Sequence, residues 1–406
     1  MRNSSGDSVG SKAPLFICHV SADFPDSIEP HKTPVIRRLM ALAPAPLEHV
    51  AFSLNRVSPP PATLLAAIAR GVGRPQVRFE AYAQEFGTAV RYHAPGKGLF
   101  HVSVLRQVGD WLAARLSRQR LPDVLIGHKL GVEGIAVGHA AALLGLPYGI
   151  TIQGNTDLKI LHRRPDLRRE IADVFHGAAH VFSFAPWSLA EVERLLGVRA
   201  GPSDILPCPP DFDDIIAPDP KGTGLLSVFH LHNSKGKNLA RMAAAMDRVS
   251  ERAPDCQLTI AGGGAARDVA CCRSIIAERK NIALSGAMSR MELRQKMNAS
   301  AGFILPSLRE SFGLVFVEAL LSGLPIAYPK GAAVDGYFDG CGFAIAVDAR
   351  SVSEIARAMT MLVRDSVAMK EELRDWQKSA AAKRFLPEAI GETFRAGLRS
   401  AARQGQ

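Results

Sequence analysis

Two glutamates, Glu310 and Glu318, interrupt the apolar run 306–328, PSLRESFGLVFVEALLSGLPIAY. From Gly313 to Leu321 every position but Glu318 is apolar, the pattern of a helix buried on all sides. A carboxylate in such a place loses its charge or finds hydrogen-bond donors, from the protein or from a ligand. Eight residues of helix rise about 12 Å and turn roughly 80° beyond two full turns. Carboxylate pairs that hydrolyse a glycosidic bond stand about 5 to 9.5 Å apart and face one bond, so these two are poorly placed for joint acid/base work. The spacing predicts two clamps on one long ligand. Between them, ESFGL puts Gly313 where a loop becomes a helix, and the free N–H groups of Gly313, Leu314 and Val315 suit an anion. A carboxylate, an anion cradle and a second carboxylate match the order of a nucleotide sugar: sugar hydroxyls, a diphosphate, then a ribose diol.

The rest of the chain must position that stretch. With 406 residues, 47% of them hydrophobic, it is too long for one ordinary core, and two lobes are expected. A formal charge of +10 suits an anionic partner. Aromatic content is 6% and no basic stretch is interleaved with aromatics, which argues against nucleic acid. Six cysteines without C-x-x-C spacing read as reduced thiols. Residues 1–12 are polar, lack an apolar signal core and are expected to be disordered, and no run of eighteen apolar residues follows. The expected location is the cytoplasm. The basic stretches VIRRLM, LRQVGDWLAARLSRQR and LHRRPDLRRE read first as solvated helix faces and second as a peripheral contact with the inner face of the membrane.

Short apolar runs at 14–20, 49–54, 123–128, 148–153 and 180–185 alternate with helical stretches such as 33–43 and 132–145, which predicts a parallel sheet with crossover helices over 13–206. Proline, aspartate and glycine crowd 207–224, the expected hinge. The alternation restarts at 225–232 and continues through 238–249, 256–264, 281–286, 290–300 and 301–307, giving a second lobe over 225–380 and a helical C-terminal segment over 381–406. The fold class is α/β, with two Rossmann-like lobes facing a central cleft.

The second half resembles the retaining glycosyltransferases of the GT-B fold, the glycosyl transferases group 1 family. The resemblance rests on ESFGLVFVE with PS before it and ALLSGLPIAYPK after it, and on SVFHLHNSKGKN, LTIAGGG, NIALSGAMSRMELRQKM and KRFLPEAIGETF in the family's order. It implies that Glu310 touches the donor sugar, Glu318 the ribose, and the Gly313 and Leu314 amides the diphosphate. Ser311, Phe312, Gly263 and Ala287 complete the donor contacts, and Lys235 neutralises phosphate. Phe229 and His230 stand where the family has glycine and arginine. In the first lobe, Gln153 of TIQG stands where the family has a histidine, and His128 is a second candidate for the cleft, at a strand end. The implied reaction is retaining, metal-independent transfer from a UDP- or GDP-sugar to a glycan or lipid-linked saccharide, with no cofactor beyond that co-substrate. The alternatives are a nucleotide-sugar-binding protein with impaired catalysis and another GT-B enzyme such as an epimerase. HLH would put His230 and His232 on one strand face, without a third metal ligand nearby. DFD (211–213) reads as a turn, and AGGG as a tight turn rather than a dinucleotide site.

Overall fold

The computed structural model describes residues 14–58, 76–95, 98–212, 214–277 and 279–404. The expected disordered stretch 1–12 and Asp213 lie outside the described residues. The first sheet contains β1 (Leu15–Ser21), β2 (Leu47–Val57), β3 (Arg78–Gln84), β4 (Gly87–His93), β5 (Val124–His128), β6 (Tyr148–Ile152), β7 (His180–Ser183) and β8 (Ser203–Ile205). Their order is β3-β4-β2-β1-β5-β6-β7-β8, and only the β3/β4 pair is antiparallel. Strand order therefore reverses between β1 and β5, the place where open α/β sheets take ligands beyond the strand ends.

The second sheet is parallel throughout: β9 (Leu225–Val228), β10 (Leu258–Ala261), β11 (Ile282–Gly286), β12 (Gly302–Ile304), β13 (Ile326–Pro329) and β14 (Ala344–Val347), in the order β11-β10-β9-β12-β13-β14. Its strands are short and apolar because crossover helices cover both faces. Two α/β lobes with parallel sheets are what the alternating pattern predicts. Strand β9 stops at Val228, however, four residues before the expected end. The chain turns through Leu231–Asn233 as a 3-10 helix, and His230 Nδ1 accepts from His232 N–H at 3.3 Å. The two imidazoles thus share no strand face.

The helix Leu314–Leu321 sits in the second core, with Phe316, Val317, Ala319, Leu320 and Leu321 fully buried and Phe316 set edge-on to Phe303 at 5.4 Å. Burying one such aromatic side chain contributes about 1.5–3 kcal/mol. The second half of the expected hinge is sewn to this lobe: Ile216 N–H donates to Leu321 O at 2.8 Å, and Lys370 Nζ donates to Asp219 O and Ser300 O at 2.6 Å each.

The helices Val352–Arg364 and Ser366–Lys378 belong to the second lobe, but the final helix, Pro387–Arg403, returns to the first. Phe394 packs on Phe182 with ring centroids 5.3 Å apart, Arg395 Nη1 donates to Leu42 O at 2.7 Å, and Gly397 lies so near the Phe182 ring that a Cβ there would overlap it. The carboxyl edges of the two sheets meet where Trp187 Nε1 donates to Ala333 O at 2.8 Å and Tyr337 Oη donates to Phe184 O at 2.7 Å.

Candidate active site

Gly313 opens the helix Leu314–Leu321 with φ 70° and ψ 62°, the left-handed region that favours glycine. A Cβ there would lie 2.6 Å from Phe316 Cδ2 and 3.0 Å from Glu310 Cγ. The turn leaves first-turn N–H groups without helical partners, at the positive end of the dipole. Ser311 and Leu314 are half-buried beside it. Phe312 differs from the expectation of a donor contact, because its side chain is core, edge-on to Tyr337 at 6.0 Å. Its backbone alone belongs to the turn.

Glu310 is held by Lys237, whose Nζ forms an ion pair with Oε2, and Ser307 Oγ donates to the same oxygen at 3.4 Å. The expected lysine, Lys235, is exposed two residues earlier. Asn238 decides which lysine turns inward. It adopts φ 68° and its Nδ2 donates to Pro306 O at 2.9 Å and Ala349 O at 2.6 Å, while Leu308 N–H donates to Gly236 O at 2.9 Å. These bonds lay the 234–238 loop against the segment that carries Glu310. Lys237 was legible only as the second lysine of KGK, ahead of an asparagine able to take a left-handed turn.

Glu318 accepts from the backbone N–H of Asp211 at 3.3 Å. Burial pushes its carboxyl up to about 7, while Arg38 and Arg290 pull it down. The Asp211 carboxylate is ion-paired with both arginines, with Arg290 at 2.9 Å. The turn expected at DFD therefore also carries a charge pinched between the first-lobe helix Val35–Ala41 and the second-lobe helix Arg290–Asn298.

The loops after β9, β10 and β11 converge on one another. Leu231 N–H donates to Gly263 O at 2.8 Å, and a Cβ on Gly263 would touch Ala287 Cβ at 3.4 Å. His230, exposed, precedes that contact.

In the first lobe the structure corrects one expectation outright. His128 lines no cleft: it is fully buried, with Nε2 3.0 Å from His19 Nδ1. His19 Nε2 lies 2.9 Å from His49 Nδ1, and His49 Nε2 meets Ala43 O at 2.7 Å. A carbonyl can only accept, so each neutral ring donates from Nε2 and accepts at Nδ1, and Thr151 Oγ1, 3.3 Å from His128 Nδ1, closes the chain as donor. Burial is the leading cause that holds His19 well below the usual imidazole range, His128 at about 3, and His49 low. The physical reason is that every residue of β5 is buried and the ring turns sideways toward β1 rather than outward. Gln153 does stand at a strand end, half-buried, with Nε2 donating to His128 O at 3.3 Å.

Next to Gln153, at the reversal between β1 and β5, lies a cluster that sequence reasoning missed. Lys129 has φ 149° and places Nζ 2.7 Å from Asp23 Oδ2. Glu133 Oε1 accepts from Ala22 N–H at 2.6 Å, its Oε2 is buried without a partner, and burial pushes the group up to about 7. Asp157 accepts from Gly131 N–H at 3.1 Å and Gln153 N–H at 3.0 Å, and burial raises it to about 6. Nothing in the spacing of Asp23, Lys129, Glu133 and Asp157 along the chain signals that they meet; only the strand order brings them together.

Residues 214–384 match the family described as glycosyl transferases group 1. Among curated proteins, none matches the sequence. Solved structures similar over nearly the whole chain include sucrose-phosphate synthase from Thermosynechococcus elongatus, at 16% identity and TM-score 0.67, covering 95% of this chain and 98% of that one. A UDP-forming α,α-trehalose-phosphate synthase from Burkholderia xenovorans, in complex with glucose-6-phosphate, has 13% identity and TM-score 0.65 and covers 95% and 100%. An E. coli trehalose-6-phosphate structure bound with UDP-2-fluoro glucose has 12% identity and TM-score 0.62 and covers 95% and 99%. The second lobe thus carries the match to glycosyl transferases group 1, and the two-lobed frame as a whole has the fold of these structures, the GT-B fold.

Proposed function

We propose that the protein transfers a sugar, with retention at the anomeric carbon and without a metal ion, from a UDP- or GDP-sugar to a saccharide acceptor, a glycan or a lipid-linked intermediate. The observation that carries the reading is the placing of Glu310 and Glu318 on either side of one helix N-terminus that only a glycine can open. Glu310 holds sugar hydroxyls, Glu318 the ribose diol, and the amides at Gly313 and Leu314 the diphosphate. In the transfer the anomeric C–O bond to the diphosphate breaks, the bond from the acceptor oxygen forms on the same face, and the acceptor proton passes to the departing phosphate oxygen. Negative charge grows on that phosphate, and the helix N-terminus, Lys237, Lys235 and His230 are the groups able to receive it.

Likeness to a UDP-forming synthase complexed with glucose-6-phosphate, and to a structure bound with UDP-2-fluoro glucose, supports a nucleotide-sugar donor and a saccharide acceptor. The reading places the enzyme in the cytoplasm, in keeping with six free cysteines. No helix among the described residues is long and apolar enough to cross a membrane. In the basic stretches Arg38, Arg106, Arg120 and Arg164 already pair with Asp211, Glu170, Glu48 and Asp166, which leaves less charge for a peripheral membrane contact.

Thermal melts with UDP, GDP and ADP and their sugars test the reading, since a ligand at 100 times its Kd stabilises by about 2.7 kcal/mol. A shift with one diphosphate and its sugar is expected, followed by an anomer-retaining product in NMR and activity that survives a chelator. No shift with any of them overturns the proposal.

A further inference from the structure

Glu318 belongs to the second lobe, yet the groups that surround it do not all belong there. The charged groups set against it are Arg290 on the helix Arg290–Asn298, Asp211 in the segment joining the lobes, and Arg38 on the first-lobe helix Val35–Ala41. Asp211 does two things at once. Its N–H donates to Glu318 Oε1 at 3.3 Å, and its carboxylate is gripped by Arg38 from one lobe and by Arg290 from the other. Arg290 also donates to the Asp211 carbonyl at 3.1 Å, so the backbone that points at Glu318 is fixed from both ends.

We propose that Arg38 is a positioning residue for the donor: reaching across from the first lobe, it holds Asp211 and the charge of Glu318 ready for the ribose of a nucleoside diphosphate, so that donor affinity depends on how the two lobes stand. The inference rests on the reading of Glu318 as the ribose acceptor. A carboxylate accepts two hydroxyl protons of a diol well only when ionised. Burial works against that charge, and Arg38 and Arg290 work for it. Removing Arg38 leaves one cation, Arg290, for two carboxylates. The group that then takes up a proton is Glu318, which already stands near neutrality.

The sign follows. Loss of Arg38 raises the Glu318 carboxyl further, so near pH 7 a smaller share of it is ionised; well above that range it is ionised with or without Arg38. The test is calorimetric titration of the whole chain with UDP and with GDP from pH 6 to 9, using wild type, Arg38→Gln, Arg38→Lys and Glu318→Gln. Expected are a loss of roughly tenfold or more at every pH for Glu318→Gln, and a loss of roughly fivefold for Arg38→Gln at pH 7 that shrinks to within about twofold at pH 9. Arg38→Lys, which keeps the charge, restores most of the affinity at pH 7. Unchanged affinity in Glu318→Gln sinks the ribose assignment itself. A weakened Glu318→Gln beside an Arg38→Gln that follows the wild-type pH curve overturns the role of Arg38 alone, as does a loss in Arg38→Gln that is the same at every pH, the mark of a merely structural tie. Absence of binding by wild type to either diphosphate overturns both.

Discussion

Lys237 and Glu310 are ion-paired at the mouth of the second lobe, and both side chains are largely shielded from solvent. The pair joins a loop after β9 to the segment after β12, so the anionic end of the sugar clamp and its nearest cation are set before any ligand arrives.

The two lysines should therefore separate on mutation. Lys237→Met is expected to lower kcat by roughly 10- to 100-fold and to cost about 1–3 kcal/mol of stability, because it leaves the Glu310 carboxylate shielded and unpaired. Lys235→Met should leave the melting temperature unchanged and act, if it stabilises phosphate, on turnover alone. Steady-state kinetics and denaturant melts on both variants decide this. Equal stability loss in the two would refute the assignment.

Gly313→Ala should be harmful on two counts. The residue adopts a left-handed φ and its new methyl would press on Phe316 Cδ2 at 2.6 Å. A loss of about 1–3 kcal/mol is expected, with weaker diphosphate binding as the helix N-terminus shifts. Parallel melts with and without UDP or GDP measure both effects, and an alanine variant of wild-type stability would contradict the description of this turn.

The histidine chain predicts acid sensitivity. His19, His49 and His128 are held neutral in the folded protein, while in the unfolded chain each takes a proton near pH 6.5. The unfolded state therefore binds more protons as pH falls, so the stability present above about pH 7 is lost on going down through 6.5, by up to about 1.4 kcal/mol per pH unit for each ring that stays neutral. Urea melts at pH 8, 6.5 and 5.5 should show that decline, and replacing His19 and His128 together by leucine should flatten it. A slope unaffected by the double change would place the acid sensitivity elsewhere.

Lys370 is the tie between the linker and the second lobe. Its Nζ donates to two backbone carbonyls, Asp219 O and Ser300 O, and Lys370→Met removes both donors. A cost of about 1–3 kcal/mol is expected for each carbonyl that no water reaches. A denaturant melt that matches wild type would show that water replaces the ammonium.

The architecture was legible because buried parallel strands are short apolar runs with helices between them, and that signal survives without tertiary information. Edge strand β3 was not legible: most of RFEAYAQ faces solvent, so it lacks the apolar run of a buried strand, and it exists because β4 offers it a partner. In the site, Glu310, Gly313 and Glu318 stood out because charges and a glycine inside an apolar run need a reason. Lys237 and Arg38 did not. An exposed-looking lysine or arginine carries no mark of its partner when that partner, as with Arg38 and Asp211, lies far along the chain, in the segment joining the lobes. His128 misled for the opposite reason: a strand-end histidine points either outward or sideways into the sheet, and two further histidines on neighbouring strands decided the matter.

The last helix has a consequence for how the protein is made. It covers Phe182 and the His19 region of the first sheet, but it is synthesised only after the entire second lobe. At about 5–20 residues per second, the first lobe waits on the order of ten seconds or more with that apolar face open. During that interval the nascent chain displays a surface made to receive a helix, with Phe182 and its neighbours uncovered. The first lobe can therefore reach its final form only once residues 387–403 have emerged, even though its own strands were completed long before.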